Sequence, residues 1–118
     1  MWWGTAIEAP DPGALARFYS ELLGWPIGHE EPGTAILAPP GGTSYLVFQQ
    51  ATDYRPPAWP DPERPQQFHL DLTVDEAHLD DAERRVLALG ATRHDLQPGD
   101  NWRVYLDPVG HPFCFCWD

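Results

Sequence analysis

The chain of 118 residues has no lysine and only seven arginines against 18 acidic residues, which gives a formal net charge of -11. Nucleic acids and anionic membranes attract basic surfaces, so this charge argues against both kinds of partner. No apolar stretch approaches the length of a membrane span, and the first residues lack the pattern of a secretion signal. We therefore expect one cytoplasmic domain over residues 1–118, whose 42% hydrophobic content can form a core.

Cysteine is also scarce, with Cys114 and Cys116 as its only two occurrences. One residue separates them in a predicted strand, so both side chains project from the same face. Because nothing else in the sequence indicates secretion, we predict two reduced thiols that fill space in a core or a cleft.

Two stretches of the chain share one pattern, which indicates an internal duplication. They are GTAIEAPDPGALARFYSELLGWP, near the start, and FHLDLTVDEAHLDDAERRVLALGAT, in the second half. Each reads as a strand, an acidic cap, a helix and a terminating glycine. The first helix is predicted between Asp11 and Gly24, and the second between Asp75 and Gly90. Apolar residues recur at helical spacing in both: Leu15, Phe18, Tyr19, Leu22 and Leu23, then Leu79, Ala82, Val86, Leu87 and Leu89.

Three short extended segments follow each helix, separated by turns rich in proline and glycine. They are 25–29, 34–38 and 44–50 in the first half, and 92–96, 103–106 and 112–117 in the second. This order predicts an α+β fold of two βαβββ modules, over about residues 1–52 and 66–118. The proline-rich segment 53–65 joins them as a linker. Its Trp59 is interpreted either as a packed anchor or as part of a lid over a cleft.

Three segments of the chain resemble the vicinal-oxygen-chelate superfamily, which includes glyoxalase I, bleomycin-resistance proteins and extradiol dioxygenases. The segments are DPGALARFYSELLGW in the first helix, FHLDLTVDE at the start of the second module and DPVGHPFCFCWD at the end. The resemblance implies curved mixed sheets around an open cleft, often in a homodimer. In the enzymes it implies a divalent metal held by side chains from four strand positions.

The four metal positions implied by the resemblance are poorly filled. They fall on His69, on Thr5 with Gly4 and Ala6 beside it, on Val47 or Gln49, and on Cys114. A hard divalent ion prefers several oxygen or imidazole ligands, and this set offers few. We therefore predict a degenerate site without a metal cofactor. If zinc, nickel, manganese or iron does bind, His69 is the expected ligand.

Other chemistry remains open at the same residues. His69 and Asp71, with His94 or His111, have the residue types of a facial iron triad, and the alternative is a hydrogen-bonded pair that lines a cleft. His69 is also a candidate general base, with Asp71 or Glu8 as a second titrating group. Cys114 is a nucleophile only if a neighbouring base or positive field lowers its pKa.

Aromatic residues suggest a binding surface, because six tryptophans exceed what a small core needs. Arg103, beside Trp102, is interpreted as a partner either for a ligand carboxylate or for an acidic side chain of the protein. His29, His78 and His111 lie in polar or turn segments and are predicted to face solvent. The predicted ligand-contacting residues are His69, Asp71, Gln49, Cys114, Trp102 and Trp59.

Three functions fit these features. The first is a binding protein of the glyoxalase and bleomycin-resistance type that holds a small organic molecule in an aromatic, acidic cleft. The second is a divalent-metal-dependent lyase or dioxygenase whose ligands depart from the usual pattern. The third is a structural or regulatory dimer without a ligand.

Overall fold

The computed structural model describes residues 2–118 and confirms the α+β class with two βαβββ modules. The chain divides into two compact units, Met1–Arg55 and Pro56–Asp118, and the division falls inside the predicted linker. Residues 53–65 contain neither helix nor strand. No helix among the described residues is long and apolar enough to cross a membrane.

The first unit is a four-stranded sheet with one helix. Its elements are β1 (Trp3–Ala9), α1 (Pro12–Leu23), β2 (Ile27–Glu31), β3 (Thr34–Leu37) and β4 (Ser44–Gln50). The strand order is β1-β4-β3-β2, in which β1 pairs with β4 in parallel and the other pairs are antiparallel. A helix between β1 and its parallel partner is the connection that such a pair requires.

Helix α1 begins and ends where its sequence predicts. The Asp11 carboxylate accepts a hydrogen bond from the Ala14 backbone N–H at 3.2 Å and so caps the first turn. Gly24 closes the helix in the left-handed conformation, with a φ of 70°. On the buried face, the ring of Tyr19 stacks on Phe48 of β4 with 5.6 Å between centroids. These aromatic contacts fasten the helix to the sheet.

The second unit repeats the arrangement. Its elements are β5 (Leu70–Thr73), a 3₁₀ turn (Glu76–His78), α2 (Leu79–Ala88), β6 (Thr92–Arg93), β7 (Trp102–Leu106) and β8 (Pro112–Cys116). The strand order is β5-β8-β7-β6, again with one parallel pair, β5 with β8. The sheet buries Tyr105, Phe113 and Phe115, whose rings contact one another at 5.0–6.0 Å between centroids.

Two predicted boundaries in the second unit are wrong. Asp75 caps the 3₁₀ turn through the Ala77 N–H, so α2 begins only at Leu79. Strand β6 stops at Arg93 instead of continuing to residue 96. Beyond Arg93, the Gln97 side chain replaces backbone pairing with β7. Its amide donates to the Val104 carbonyl and accepts from the Val104 N–H, both at 2.9 Å.

Two smaller differences concern the bounds of a strand and the burial of a helix residue. Strand β2 runs over Ile27–Glu31, two residues later than predicted, because Trp25 and Pro26 form an irregular connection after α1. Leu87, predicted in the apolar stripe of the second helix, is 40% exposed, whereas Leu79 and Val86 are buried. The stripe of α2 is therefore narrower than its sequence indicates.

Candidate functional site

The sheet of the second unit has one face against α2 and one face open. Phe113 and Phe115 of β8 and Tyr105 of β7 point to the helix side, so the residues that alternate with them point to the other side. The strand pairs place Asp71 beside Cys114 and Trp102 beside Cys116. His69 immediately precedes β5 and lies on the same open face, two residues before Asp71.

A hollow of about 230 Å³ lies on this open face. We call it the thiol hollow, and it is lined by His69, Asp71, Asn101, Trp102, Cys114 and Cys116. A smaller adjoining cavity of about 80 Å³ shares three of these residues. Its lining is Trp59, Gln66, His69, Trp102, Val104, Pro112 and Cys114. Five of the six predicted ligand-contacting residues, all except Gln49, therefore line these two adjoining cavities of the second unit.

The Asp71 carboxylate connects the polar groups of the thiol hollow. It lies 3.2 Å from Nε2 of His69 and accepts hydrogen bonds from the thiols of Cys114 and Cys116. Burial, with help from the Asp71 charge and from Cys116, raises the pKa of Cys114 to about 11. Burial and Asp71 also raise the pKa of Cys116. Both thiols are therefore protonated at neutral pH, which opposes the hypothesis of a nucleophilic Cys114.

The aromatic wall of the hollow is the indole of Trp102, which remains 38% exposed. It packs against Gly99, where a Cβ atom would overlap the indole ring. Trp59 lies edge-on to His94, with 5.1 Å between ring centroids. Its carbonyl lies 3.0 Å from Nε2 of His94, so this linker residue is anchored within the second unit. Trp59 is thus both the predicted anchor and a wall of the adjoining cavity.

Gln66, a residue that lines the adjoining cavity, has a buried polar atom without a partner. The Oε1 atom of Gln66 is buried without a hydrogen bond, the single such side-chain atom among residues 2–118. A buried acceptor without a donor costs about 1–3 kcal/mol. A ligand that brings an N–H or O–H group to this atom would recover that cost. Gln66 was not predicted from the sequence, where it is one glutamine in a polar segment.

Of the two interpretations of His69 and Asp71, the contacts favour the hydrogen-bonded pair that lines a cleft. The two ring nitrogens of His94 are both engaged, Nε2 with the Trp59 carbonyl and Nδ1 as acceptor from the Leu96 N–H at 3.0 Å. Neither His94 nor His111 belongs to the group of close donor atoms around His69 and Asp71 in the described part of the chain, so the residues of a facial iron triad are not brought together.

The two interpretations of Arg103 and the exposure of three histidines are resolved. Arg103 pairs with Glu83 at 2.9 Å and with Asp80 at 3.4 Å, so it serves the protein's own carboxylates instead of a ligand. His29 and His78 are exposed as predicted, whereas His111 is half-buried in the turn before β8.

The first unit presents a different set of residues on its corresponding face. Ile7 and Phe48 are buried on the face of the sheet that packs against α1, and alternation puts Thr5 on this face too. Thr5 therefore differs from His69, which lies on the open face of its own sheet. The opposite side carries Gly4, Ala6, Glu8, Val47 and Gln49. Gln49 is exposed beside Glu8, and it is not part of the thiol hollow.

The model of the glyoxalase-like domain family matches residues 4–116. The chain belongs to this family. No curated protein sequence matches the chain, and solved structures share its fold. One is a glyoxalase/bleomycin resistance protein/dioxygenase family enzyme from Burkholderia phytofirmans PsJN, with 20% identity, a TM-score of 0.73 and coverage of 97% of this chain and 95% of that one.

Two further structures share the fold of this glyoxalase-like domain. A lactoylglutathione lyase from Agrobacterium tumefaciens has 22% identity and a TM-score of 0.62, and the match covers 99% of this chain and 92% of that one. A possible glyoxalase from Bacillus cereus has 14% identity and a TM-score of 0.71, with 98% and 97% covered. Identities this low establish a common fold only.

The donor set does not fit the metal site that the superfamily implies. On β8 a cysteine thiol, Cys114, occupies the position expected for a carboxylate, and on β4 the open face offers the Tyr45 hydroxyl and the Gln49 amide instead of a carboxylate or an imidazole. The β1 face offers no imidazole, since its residues are Gly4, Ala6 and Glu8. Hard divalent ions bind several carboxylate or imidazole ligands, so we assign no reaction step to such an ion here.

Proposed function

We propose that this glyoxalase-like domain is a binding protein for a small organic cation, held in the thiol hollow and its adjoining cavity. The observation that carries the proposal is the lining: it contains the Asp71 carboxylate and the Trp102 indole, and no lysine or arginine. A cation gains from both groups, and an anion would meet the Asp71 charge without a compensating partner.

Three electrostatic contributions favour a cationic ligand. An indole face attracts a cation by about 0.5–2 kcal/mol, depending on how far the pair is shielded from water. Asp71 is exposed at the side chain by 62%, so its ion pair with a bound cation contributes at most about 1 kcal/mol. The net charge of -11 adds a general attraction for cations. None of these terms requires a metal or a catalytic residue.

The unpaired Oε1 acceptor of Gln66 favours a ligand that carries an N–H donor. A primary or secondary ammonium ion carries N–H donors, whereas a quaternary ammonium ion carries none. The hollow of about 230 Å³ and the adjoining cavity of about 80 Å³ together reach only the lower end of the range of about 300–1,000 Å³ that drug-sized ligands occupy. We therefore infer a compact ligand with one ring or a short chain and an ammonium group. A homodimer and a cytoplasmic location stay predictions.

Benzylammonium is a suitable probe, and tryptophan fluorescence with parallel calorimetry is the measurement. We expect benzylammonium to bind, benzyltrimethylammonium to bind more weakly because it lacks N–H donors, and benzoate not to bind. The variant Asp71→Asn should weaken benzylammonium by about fivefold, because up to about 1 kcal/mol of ion pairing is lost. Gln66→Leu should remove the preference for benzylammonium over the quaternary ion.

The matched control is Asp53→Asn, which removes the same unit of charge from an exposed position in the first unit. Its benzylammonium affinity should stay close to that of the wild type, since one unit out of a net charge of -11 contributes far less than the direct contact with Asp71. Equal losses in both aspartate variants would reduce the proposal to non-specific electrostatics. Stronger binding of benzoate than of benzylammonium would overturn it.

A further inference from the structure

We propose that Trp59 sets the size limit for substituents on the ligand's nitrogen, so that the site accepts small ammonium ions and excludes those with bulky N-alkyl groups. The inference rests on the proposed function and deepens it. The charge of Asp71 and the indole of Trp102 attract any organic cation, and the Gln66 acceptor selects for an N–H donor. None of these three groups distinguishes a methyl from a cyclohexyl group on the same nitrogen.

The adjoining cavity is where the size limit acts. Gln66 and Trp59 belong to its lining, and His69, Trp102 and Cys114 line both this cavity and the thiol hollow. Its volume of about 80 Å³ is far below the range of about 300–1,000 Å³ that drug-sized ligands occupy, so it admits a group of only a few heavy atoms. A ligand that donates an N–H to Oε1 of Gln66 must place its nitrogen near this cavity. Trp59 is then one of the walls that limit what else the nitrogen can carry.

Trp59 is held in place at its backbone and at its ring. The Ala58 N–H donates to the Arg64 carbonyl at 2.8 Å and closes the loop that carries Trp59. Nδ1 of the neutral His94 ring accepts from the Leu96 N–H, so Nε2 carries the proton and donates to the Trp59 carbonyl at 3.0 Å. The same imidazole contacts the indole edge-on, with 5.1 Å between ring centroids. A wall fixed in this way resists displacement, and a clash with the wrong ligand is an effective source of specificity.

Two secondary ammonium ions test the size limit in the full chain by calorimetry: N-methylbenzylammonium and N-cyclohexylbenzylammonium. They carry the same charge, the same benzyl ring and the same two N–H donors. In a site without a wall, burial of the cyclohexyl group would favour the larger ion. We expect the wild-type chain to prefer the methyl compound by at least about tenfold, because one methylene group too many in a pocket changes binding by about 10–200-fold.

Trp59→Ala should bind N-cyclohexylbenzylammonium more tightly than the wild-type chain does, and it should reduce the preference for the methyl compound by at least about fivefold. A gain in affinity is diagnostic, because general damage to the site would weaken both ions. Trp59→Phe, with a smaller ring, should give an intermediate preference and serves if the alanine variant does not fold. Trp25→Ala is the matched control, since Trp25 is a half-buried tryptophan of the first unit, and it should leave the preference unchanged.

His94 acts through Trp59 as a positioning residue. His94→Ala removes both contacts with Trp59 and should lower the preference for the methyl compound. His94→Gln should restore part of the preference, because its side-chain amide can donate to the Trp59 carbonyl. A loss of stability alone would not change the ratio of the two affinities.

Two results would contradict the size limit while N-methylbenzylammonium still binds, and they would leave the proposed function standing. The first is equal or tighter binding of the cyclohexyl compound by the wild-type chain, which needs no variant. The second is equal weakening of both ions by Trp59→Ala. Failure of the wild-type chain to bind either N-methylbenzylammonium or benzylammonium would refute the size limit together with the proposed function, so the two failures are distinguishable.

Discussion

Replacement of Tyr105 by phenylalanine tests the polar cluster that connects β7 to α2. Tyr105 is fully buried, and its hydroxyl donates a hydrogen bond to Oε2 of Glu83 at 2.5 Å. Arg103 donates to the same oxygen at 2.9 Å. A hydrogen bond to a charged group contributes about 1.5–3 kcal/mol. Because Arg103 still satisfies Glu83 in the variant, we expect a loss near the lower end, about 1.5 kcal/mol.

The assay is reversible thermal unfolding followed by circular dichroism. For a domain of this size, a loss of about 1.5 kcal/mol corresponds to a decrease in Tm of roughly 4–8 °C. The ring contact with Phe113, at 5.5 Å between centroids, is retained in the variant. The loss therefore measures the hydroxyl group instead of a cavity. Tyr45→Phe is the matched control, because the described part of the chain shows no hydrogen-bond partner for that hydroxyl.

The pH dependence of the Tyr105→Phe effect has a definite sign. Burial alone would raise the pKa of Glu83, but hydrogen bonds from Tyr105 and Arg103 and the charge of Arg93 lower it overall. A carboxylate with a lowered pKa stabilises the fold above its unfolded pKa of about 4.3, and that stabilisation is lost as the pH falls through the folded value. The difference in Tm between wild type and variant should therefore shrink at acid pH. A difference below about 1 °C at neutral pH, or equal effects of both tyrosine variants, would refute the reasoning.

Three further predictions concern the hollow and the core. Gly99→Ala should displace the Trp102 indole and weaken benzylammonium binding, measured by fluorescence titration, because the new Cβ overlaps that ring. Iodoacetamide at pH 7 should label Cys116 before Cys114 in a time course by mass spectrometry, since Cys114 is only 7% exposed and its pKa of about 11 leaves roughly one thiolate in 10⁴. Phe48→Ala should cost about 3–5 kcal/mol in denaturant unfolding, because Phe48 is fully buried.

The architecture was predictable because it depends on local signals. Asp11 and Gly24 mark the ends of α1 by capping chemistry that acts over one turn. The open face of β8 was also predictable, since alternation fixes Cys114 opposite to Phe113 and Phe115. Strand β6 was overestimated because a side chain, Gln97, supplies the pairing that backbone groups were expected to supply.

The site was only partly predictable because its details depend on contacts between distant residues. His69 and Asp71 were predicted to share one strand face, but the approach of Cys114 to within 4.8 Å of both follows from the parallel pairing of β5 with β8. The loss of His94 as a candidate ligand follows from a contact 35 residues away, with the Trp59 carbonyl. No short-range pattern in the sequence contains that information.

The central claim is that an organic cation binds beside Trp102, and the indole N–H signals of the six tryptophans test it most directly. We would titrate ¹⁵N-labelled protein with benzylammonium and assign each signal by a tryptophan-to-phenylalanine variant. The account predicts a saturable shift of the Trp102 signal, with Trp59 next, and unchanged signals for Trp2, Trp3 and Trp25. A titration that leaves Trp102 unmoved, or that shifts only tryptophans of the first unit, would contradict the account.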